Sequence, residues 1–305
     1  MKKILITGAN GLLGQKLVSL LSKQQDVRLL ATARGECRFS VPENVTYQSL
    51  DITDAGACVN LFGEFQPDAL IHAAAMTQVD ACEDKLEQCD LINITGVSNL
   101  IQAIGNRNTH FVHISTDFIY EGDEEEYFED SKVNPLSYYG ASKWKSEQLF
   151  NQVTFPYSIL RTVLVYGVLK DSSRSNIVLW AKGALEKGEE INVVDDQYRC
   201  PTLAEDLALA CLQVIQENAS GVYHVSGKDF LSILELVFEI ADFWNLDKTL
   251  IKSISTSSLS QQAKRPAKTK LNLSKAKHRF NYQPKSFREG LTLVDKQIQN
   301  LKLKQ

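Results

Sequence analysis

The chain has 305 residues, of which 44% are hydrophobic and 23% are charged. This balance is typical of a globular protein and excludes a disordered chain, a collagen-like repeat and a small disulfide-stapled domain. The formal net charge of −4 argues against a general nucleic-acid binder. No segment approaches the roughly 20 apolar residues of a membrane span, so we expect no membrane partner.

The charge is unevenly distributed along the chain. Residues 248–305 carry 14 Lys and Arg against 2 acidic residues, which indicates either a solvated helical surface or a contact with an anionic ligand. Residues 121–130 hold seven Asp or Glu, which predicts an exposed loop. The six cysteines form no C-x-x-C pair and no zinc-type cluster with His, so we expect reduced thiols, a cytoplasmic protein and no metal site.

Strand and helix patterns alternate in the first half of the chain. The predicted strands are 3–7, 27–33, 45–50, 69–72, 110–115 and 157–165, and the predicted helices are 12–23, 55–65, 85–106 and 138–152. Such alternation predicts an α/β fold, a Rossmann-type doubly wound parallel sheet with helices on both faces.

The alternation loosens after Gly167, where we predict a smaller α/β part. Helices are predicted at 176–187 and 233–244, and strands at 191–194 and 222–225. Thr202 and Glu205 have the spacing of a capping box, which predicts a helix from there to Gln216.

Three glycines lie between the first predicted strand and the first predicted helix, at Gly8, Gly11 and Gly14. In dinucleotide-binding folds one glycine makes the tight turn, one lets the backbone approach the pyrophosphate, and one lets helix and strand pack closely. The pyrophosphate then faces the free N–H groups of the helix N-terminus. The position of this loop therefore predicts a dinucleotide site.

The end of the second strand indicates which dinucleotide binds. An acidic residue is expected about 20 residues after the glycines if the ribose 2′-hydroxyl is bound. The chain has no acid there, and Arg34 stands beside the place. Because arginine accommodates a 2′-phosphate, we predict NADPH and keep NADH as the alternative.

Tyr139 and Lys143 are four residues apart on one predicted helix, so both side chains lie on one face. A neighbouring cation is expected to lower the pKa of a phenol, which then serves as a general acid. Ser115 and Thr116 follow at the end of the fifth strand, at the carboxyl edge where open α/β sheets bind ligands.

Together these features resemble the extended short-chain dehydrogenase/reductase family. Finer motifs are similar to those of the dTDP-4-dehydrorhamnose reductase group of sugar-nucleotide enzymes. They are His72-Ala73-Ala74-Ala75-Met76-Thr77-Gln78-Val79-Asp80, Ser115-Thr116-Asp117-Phe118, Asn134-Pro135-Leu136-Ser137-Tyr138-Tyr139-Gly140, Asp196-Gln197 with Pro201-Thr202, and Arg265-Pro266. The similarity runs from residue 2 to about residue 280.

The resemblance implies an NADPH-dependent reductase of a nucleotide-linked 4-keto-6-deoxy sugar, in a pathway such as rhamnose supply for surface polysaccharide. Tyr139 would donate the proton, Thr116 would hydrogen-bond the same oxygen, and Lys143 would hold the nicotinamide ribose and tune Tyr139. Further cofactor contacts carried over by position are Asn10, Leu12, Leu13, Asp51, Ile52, Ala73, Ala74 and Ala75. Substrate contacts carried over in the same way are Thr77, Val79, Asp117, Arg199 and Arg265.

The resemblance also implies a domain division. Residues 1–166 plus about 203–228 would form the NADP-binding domain, and about 167–202 plus 229–305 the substrate-binding domain. The expected partner is a nucleotide sugar, and a homodimer is left open.

The chain departs from that group at several positions. Leu164 stands where these reductases usually have a tryptophan of the sugar pocket, which leaves the sugar open. Arg199 stands where they often have glycine, and it would reach a diphosphate or pair with the acidic loop. Gln15 and Lys16 replace an acid that some members use in a metal-bridged dimer, so we predict no such metal.

Two alternatives stay open. A sugar-nucleotide dehydratase tends to have Asp-Glu after the strand-end threonine, whereas this chain has Asp117-Phe118, and epimerases tend to retain NAD. The chain also resembles the regulatory subunit of methionine adenosyltransferase, which keeps the fold and binds NADP but acts by docking to a partner enzyme.

Overall fold

The computed structural model of the protein describes residues 1–169, 176–259 and 261–302. The strands are β1 (Lys2–Thr7), β2 (Val27–Ala33), β3 (Val45–Ser49), β4 (Ala69–His72), β5 (His110–Thr116), β6 (Tyr157–Thr162), β7 (Val165–Tyr166), β8 (Ile191–Val194), β9 (Tyr198–Arg199), β10 (Thr202–Leu203), β11 (Gly221–His224), β12 (Leu231–Ser232) and β13 (Ile251–Ile254). The α-helices are α1 (Leu12–Leu21), α2 (Ala55–Phe65), α3 (Val79–Asp84), α4 (Leu86–Asp90), α5 (Gly96–Ile104), α6 (Tyr138–Gln148), α7 (Ile177–Glu186), α8 (Ala204–Gln216), α9 (Ile233–Trp244), α10 (Ser274–Phe280) and α11 (Phe287–Lys302).

Seven strands form one central sheet in the order β11-β6-β5-β4-β1-β2-β3. Every neighbouring pair in this sheet is parallel. The predicted fold class, a doubly wound parallel α/β sheet, is confirmed. Strand pairs β7–β10 and β8–β13 are parallel, and β9–β12 is antiparallel.

Both faces of the central sheet are buried, as its apolar strands require. Successive side chains of a strand point to opposite faces. On β1, Ile4 and Ile6 join the core that contains α1 and α8, whereas Leu5 joins the core under α2 and α5. The helices of both faces therefore hold the strand ends, and the residues that follow them, in fixed positions.

A further hydrophobic core lies among α7, α9 and α11, and includes Val178, Leu236 and Leu291. Leu271 and Phe280 instead pack in the core of the central sheet. The domain boundaries given above stay a prediction.

Apart from shifts at the ends of elements, such as β6 ending at Thr162 and α6 at Gln148, the local structure differs from the predictions mainly at Thr202 and over 85–106. The prediction of a capping box at Thr202 is wrong. Helix α8 begins at Ala204 with Leu203 as its N-cap. The Thr202 hydroxyl instead donates to the Val163 carbonyl at 2.6 Å. A capping box is present instead between Ser232 and Glu235, at the start of α9. The helix predicted over 85–106 is divided into α4, a π-helical turn at Leu91–Thr95, and α5.

Seven of the thirteen Lys and Arg in the basic segment 248–302 pair with acidic residues elsewhere in the fold. The pairs are Lys248–Asp242, Lys252–Glu190, Arg265–Asp80, Lys270–Glu126, Arg279–Glu217, Lys285–Asp206 and Arg288–Glu239. Most side chains of these pairs are partly exposed to solvent, and ion pairs in such positions contribute little to stability. This arrangement favours the solvated-surface interpretation for most of the basic segment, with Arg265 as an exception because it lines a cavity. Nothing among the helices of the described residues has the length and apolarity to cross a membrane.

Candidate active site

Two adjoining cavities open where the central strands end. The larger has a volume of about 530 Å³ and the smaller about 380 Å³, and both are lined by Gly11 and by Ala73, Ala74 and Ala75. Every residue predicted above for the cofactor, the substrate or catalysis lines one or both of them. Residues 170–175, which follow Leu169 on the wall, lie outside the described part of the chain.

The glycine loop forms the floor between the two cavities. Gly8 has a φ of +76°, and a Cβ there would lie 2.6 Å from the Ala74 backbone nitrogen. A Cβ on Gly14 would collide with the Gly8 carbonyl oxygen, so this glycine lets α1 pack on the loop. Gly11 is the N-cap of α1 without a side-chain cap, which leaves the helix N-terminus facing the cavities. The three glycines thus serve the turn, the close packing and the open N-terminus.

The smaller cavity lies beyond the ends of β2 and β3. Arg34 and Arg38 line it and both are exposed, so two cations face the same space. The Asn10 side chain holds the loop that carries Arg38, donating to the Glu36 carbonyl at 2.9 Å and accepting from the Arg38 backbone N–H at 2.9 Å. Asp51 also lines this cavity, and hydrogen bonds from Thr53 hold its pKa below the ordinary value.

Tyr139 and Thr116 lie together on the wall of the larger cavity. Tyr139 is 9% exposed and its ring packs edge-on against Phe118 at 5.8 Å. Burial raises the pKa of Tyr139 above the ordinary tyrosine value, while a hydrogen bond with Thr116 acts in the opposite direction. The expectation of a lowered pKa for Tyr139 is therefore wrong in this structure, because desolvation outweighs the opposing hydrogen bond with Thr116. The phenol stays protonated at neutral pH, which suits a proton donor.

Lys143 lies one helical turn after Tyr139 and is only 2% exposed. Burial lowers the pKa of its ammonium to about 8, although the nearby Glu147 carboxylate raises it. The Lys143 Nζ lies 3.2 Å from Nε2 of His113. The tyrosine and lysine predicted from their spacing are thus on one face of α6, and both line the larger cavity.

Asp117 and Arg199 form a buried pair at the base of the same cavity. The Arg199 Nε lies 3.7 Å from Oδ2 of Asp117, and their side chains are 4% and 2% exposed. Thr269 donates to Asp117 Oδ2 at 2.6 Å, and burial nevertheless raises the pKa of Asp117. Arg199 also donates to the Pro266 carbonyl at 2.6 Å. The expected alternative of an Arg199 pair with the acidic loop is wrong.

Arg265 reaches the cavity from the basic segment. Its Nη2 lies 2.6 Å from Oδ2 of Asp80, and this arginine holds the pKa of Asp80 below the ordinary value. Asp80 stands beside Val79 at the start of α3, and Thr77 precedes that helix. Arg265, Thr77 and Val79 therefore share one side of the larger cavity.

Sequence reasoning missed several residues of the cavity walls. Arg38 lies in the loop after β2 and lines the smaller cavity, but residues in a loop follow no helix or strand period that would mark them in the sequence. His72 ends β4 and lines the larger cavity, as does Ile233 at the start of α9. Leu164, singled out as a departure, also lines this cavity and has a φ of +39°, which is uncommon for a branched side chain.

The family model described as "RmlD substrate binding domain" matches residues 1–300. The chain belongs to the RmlD family. The family predicted from the motifs is thereby confirmed, and with it the oxidoreductase class with a nicotinamide dinucleotide cofactor.

Individual relatives align with nearly the whole chain. The spore coat polysaccharide biosynthesis protein SpsK of Bacillus subtilis is 32% identical over 95% of this chain and 96% of its own length. A Bacillus anthracis dTDP-4-dehydrorhamnose reductase, solved in complex with NADP, superimposes with a TM-score of 0.83 at 29% identity, over 97% of this chain and 100% of that one. The methionine adenosyltransferase 2 subunit beta of Xenopus tropicalis is 28% identical over 97% of this chain and 89% of its own length.

Proposed function

We propose that the protein is an NADPH-dependent reductase of a nucleotide-linked 4-keto-6-deoxy sugar, of the dTDP-4-dehydrorhamnose reductase type. The observation that carries the proposal is the shared wall of the larger cavity, where Thr116, Tyr139 and Lys143 face a space continuous with the glycine loop. The side chain that would donate the proton and the loop that would bind the dinucleotide therefore line the same cavity.

The residues present fit a nicotinamide dinucleotide. The uncapped N-terminus of α1 at Gly11 suits a pyrophosphate, because its free N–H groups and partial positive charge attract anions. Ala73 and Ala74 leave room beside β4, and Asp51 and Ile52 line the far end, where the adenine would lie. When bound, the reduced cofactor would supply the hydride that adds to the keto carbon.

The chain's own residues would manage the proton and the developing charge. Tyr139, kept neutral by burial, would donate its phenolic proton to the carbonyl oxygen as the alkoxide forms. Thr116, on the same wall, would donate a hydrogen bond to that oxygen. Lys143 would bind the nicotinamide ribose and present a positive charge beside Tyr139. Asp117, Thr77, Val79, Arg199 and Arg265 would contact the nucleotide sugar.

The deciding experiment is NADPH oxidation by the purified protein with dTDP-4-keto-6-deoxy-L-mannose, with NADH in parallel. Consumption of NADPH that depends on the keto sugar would support the proposal. Absence of consumption, in protein shown separately to bind NADPH, would contradict this substrate. Other keto sugars would then be tested, because Leu164 stands where similar reductases usually have a tryptophan of the sugar pocket.

A second candidate function is a non-catalytic NADP-binding regulatory subunit. It is supported by the similarity, over 97% of this chain, to the Xenopus tropicalis methionine adenosyltransferase 2 subunit beta. Co-purification with a methionine adenosyltransferase separates the two, because a regulatory subunit would bind that enzyme and would bind NADPH without consuming it with any keto sugar. The dehydratase alternative is disfavoured, since Phe118 occupies the place of the second carboxylate and packs against Tyr139.

Replacing Arg34 with alanine is expected to weaken NADPH binding by about 10-fold or more and NADH binding much less. The reason is loss of a charge-assisted hydrogen bond to the 2′-phosphate. Titration calorimetry with each cofactor measures the effect. Arg28→Ala is the matched control, because Arg28 is an exposed arginine of β2, the strand that precedes Arg34, and lines neither cavity. Equal losses for NADPH and NADH would show that Arg34 does not contact the 2′-phosphate.

A further inference from the structure

A row of polar side chains crosses the central sheet beneath α6. Thr7, His72 and His113 are register partners on β1, β4 and β5, so they lie side by side. The Thr7 hydroxyl and His72 Nδ1 are 2.6 Å apart, and the rings of His72 and His113 stack with centroids 5.5 Å apart. All three side chains are at most 1% exposed. A buried polar row of this kind requires partners, because unpaired polar groups in the interior are costly.

Helix α6 faces this row with a polar stripe of its own. Lys143, Ser146 and Glu147 are all buried, and Glu147 accepts a hydrogen bond from Ser115 on β5. His113 Nε2 lies 3.2 Å from the Lys143 ammonium and 3.1 Å from the Ser146 hydroxyl. Among the described residues, this imidazole is the only hydrogen-bond partner of the Lys143 ammonium.

The protonation states follow from burial and from neighbouring charge. Burial, reinforced by Lys143, lowers the pKa of His72 to about 3 and holds the pKa of His113 well below its usual value, so both rings are neutral. The Ser146 hydroxyl donates its proton to the Lys143 carbonyl at 2.7 Å. His113 Nε2 can therefore either donate to the Ser146 oxygen or accept from Lys143. If Nε2 carries the proton, the Lys143 ammonium has no acceptor among the described residues; if Nδ1 carries it, only a neutral N–H is left unpaired. The unpaired buried ammonium costs more, so the tautomer in which Nε2 accepts from Lys143 is favoured.

We propose that His113 is a positioning residue that accepts a hydrogen bond at Nε2 from the Lys143 ammonium and fixes this cation in the active site. The proposal rests on the proposed function for its effect on turnover, but the contact itself does not depend on a substrate. Besides the two histidines, the groups that act on Lys143 are Glu147 on its own helix and Cys89 on α4, and both raise its pKa.

The test is the titration of Lys143 in the full-length protein, read by NMR of ¹³Cε-labelled lysine and assigned with Lys143→Arg. His113→Phe keeps an aromatic ring next to Phe150, whose centroid is 5.4 Å away, but cannot accept the hydrogen bond. We expect the pKa of Lys143 to fall by about one unit or more from about 8. The alkaline limb of the kcat profile should move by the same amount, because less ammonium remains at a given pH.

His113→Gln, whose side-chain oxygen can accept, should return both values toward the wild type. His110→Phe is the matched control: His110 lies on the same strand, is buried and is bonded to Ser158 at 2.7 Å, without contact to Lys143. It should lower stability and leave the titration of Lys143 unchanged. An unchanged titration in His113→Phe, or an equal shift in His110→Phe, would overturn the proposal.

A measurement on the wild type covers the case in which His113→Phe does not fold. The ¹⁵N shifts of His113 should show a neutral ring with the proton on Nδ1. A proton on Nε2 would exclude acceptance from Lys143 and overturn the proposal. If the titration behaves as expected while no keto sugar is reduced, the proposed function fails and the positioning role stands.

Discussion

Tyr139→Phe is expected to lower kcat for keto-sugar reduction by about 10²–10⁴-fold, the usual contribution of a general acid. The substitution removes one hydroxyl from a side chain that is 9% exposed, and the ring contact with Phe118 is kept. NADPH affinity should change little, since the glycine loop and the smaller cavity are untouched. Stopped-flow NADPH oxidation and a separate binding titration measure the two quantities.

Tyr138→Phe supplies the control for this variant. Tyr138 is the preceding residue of α6, is half-buried, and does not line either cavity. Its replacement should leave kcat unchanged. Retained turnover in Tyr139→Phe would remove Tyr139 from the chemistry, whereas a loss in both variants would indicate damage to α6.

Arg161→Met is expected to lower the free energy of unfolding by about 3–5 kcal/mol, because it leaves a buried carboxylate without its counter-charge. Arg161 Nη2 lies 2.7 Å from Glu147 Oε2, and the two side chains are 3% and 2% exposed. The same guanidinium donates to the Tyr120 hydroxyl at 2.7 Å and to the Glu129 carbonyl at 2.8 Å. Chemical denaturation measures the change.

Two further variants separate the mechanism from general damage. The double variant Arg161→Met with Glu147→Leu should recover part of the loss, since replacing both members leaves no uncompensated charge. Arg288→Met breaks an exposed pair with Glu239, whose side chains are 65% and 44% exposed, and should cost less than about 1 kcal/mol. A loss in Arg161→Met as small as that of Arg288→Met would contradict the expectation.

The predictions that succeeded rest on local patterns and on one rule of parallel sheets. Gly8, Ala73 and Thr116 each follow or end a strand, and the carboxyl ends of parallel strands meet at one edge. Their convergence could therefore be predicted without coordinates. Tyr139 and Lys143 share a helix face because side chains four residues apart do so in any α-helix.

The predictions that failed concern how deeply a side chain is buried, or which residue distant in sequence it contacts. The pKa of Tyr139 is raised because packing removes water from the phenol, and depth of burial is not visible in a four-residue spacing. Arg199 meets Asp117 and the Pro266 carbonyl only because β9 is brought beside the end of β5. Thr202 is held by the Val163 carbonyl rather than capping α8, a contact that competes with the local motif.

The strand and helix periodicity, the glycine loop and the spacing of Tyr139 and Lys143 follow from the amino-acid sequence alone, because each depends on geometry within a few neighbouring residues. The protonation of Tyr139, the partner of Arg199 and the His72–His113 row beneath Lys143 arise from the folded structure. They depend on desolvation and on contacts between distant strands, and both quantities are set only when the two faces of the sheet are packed.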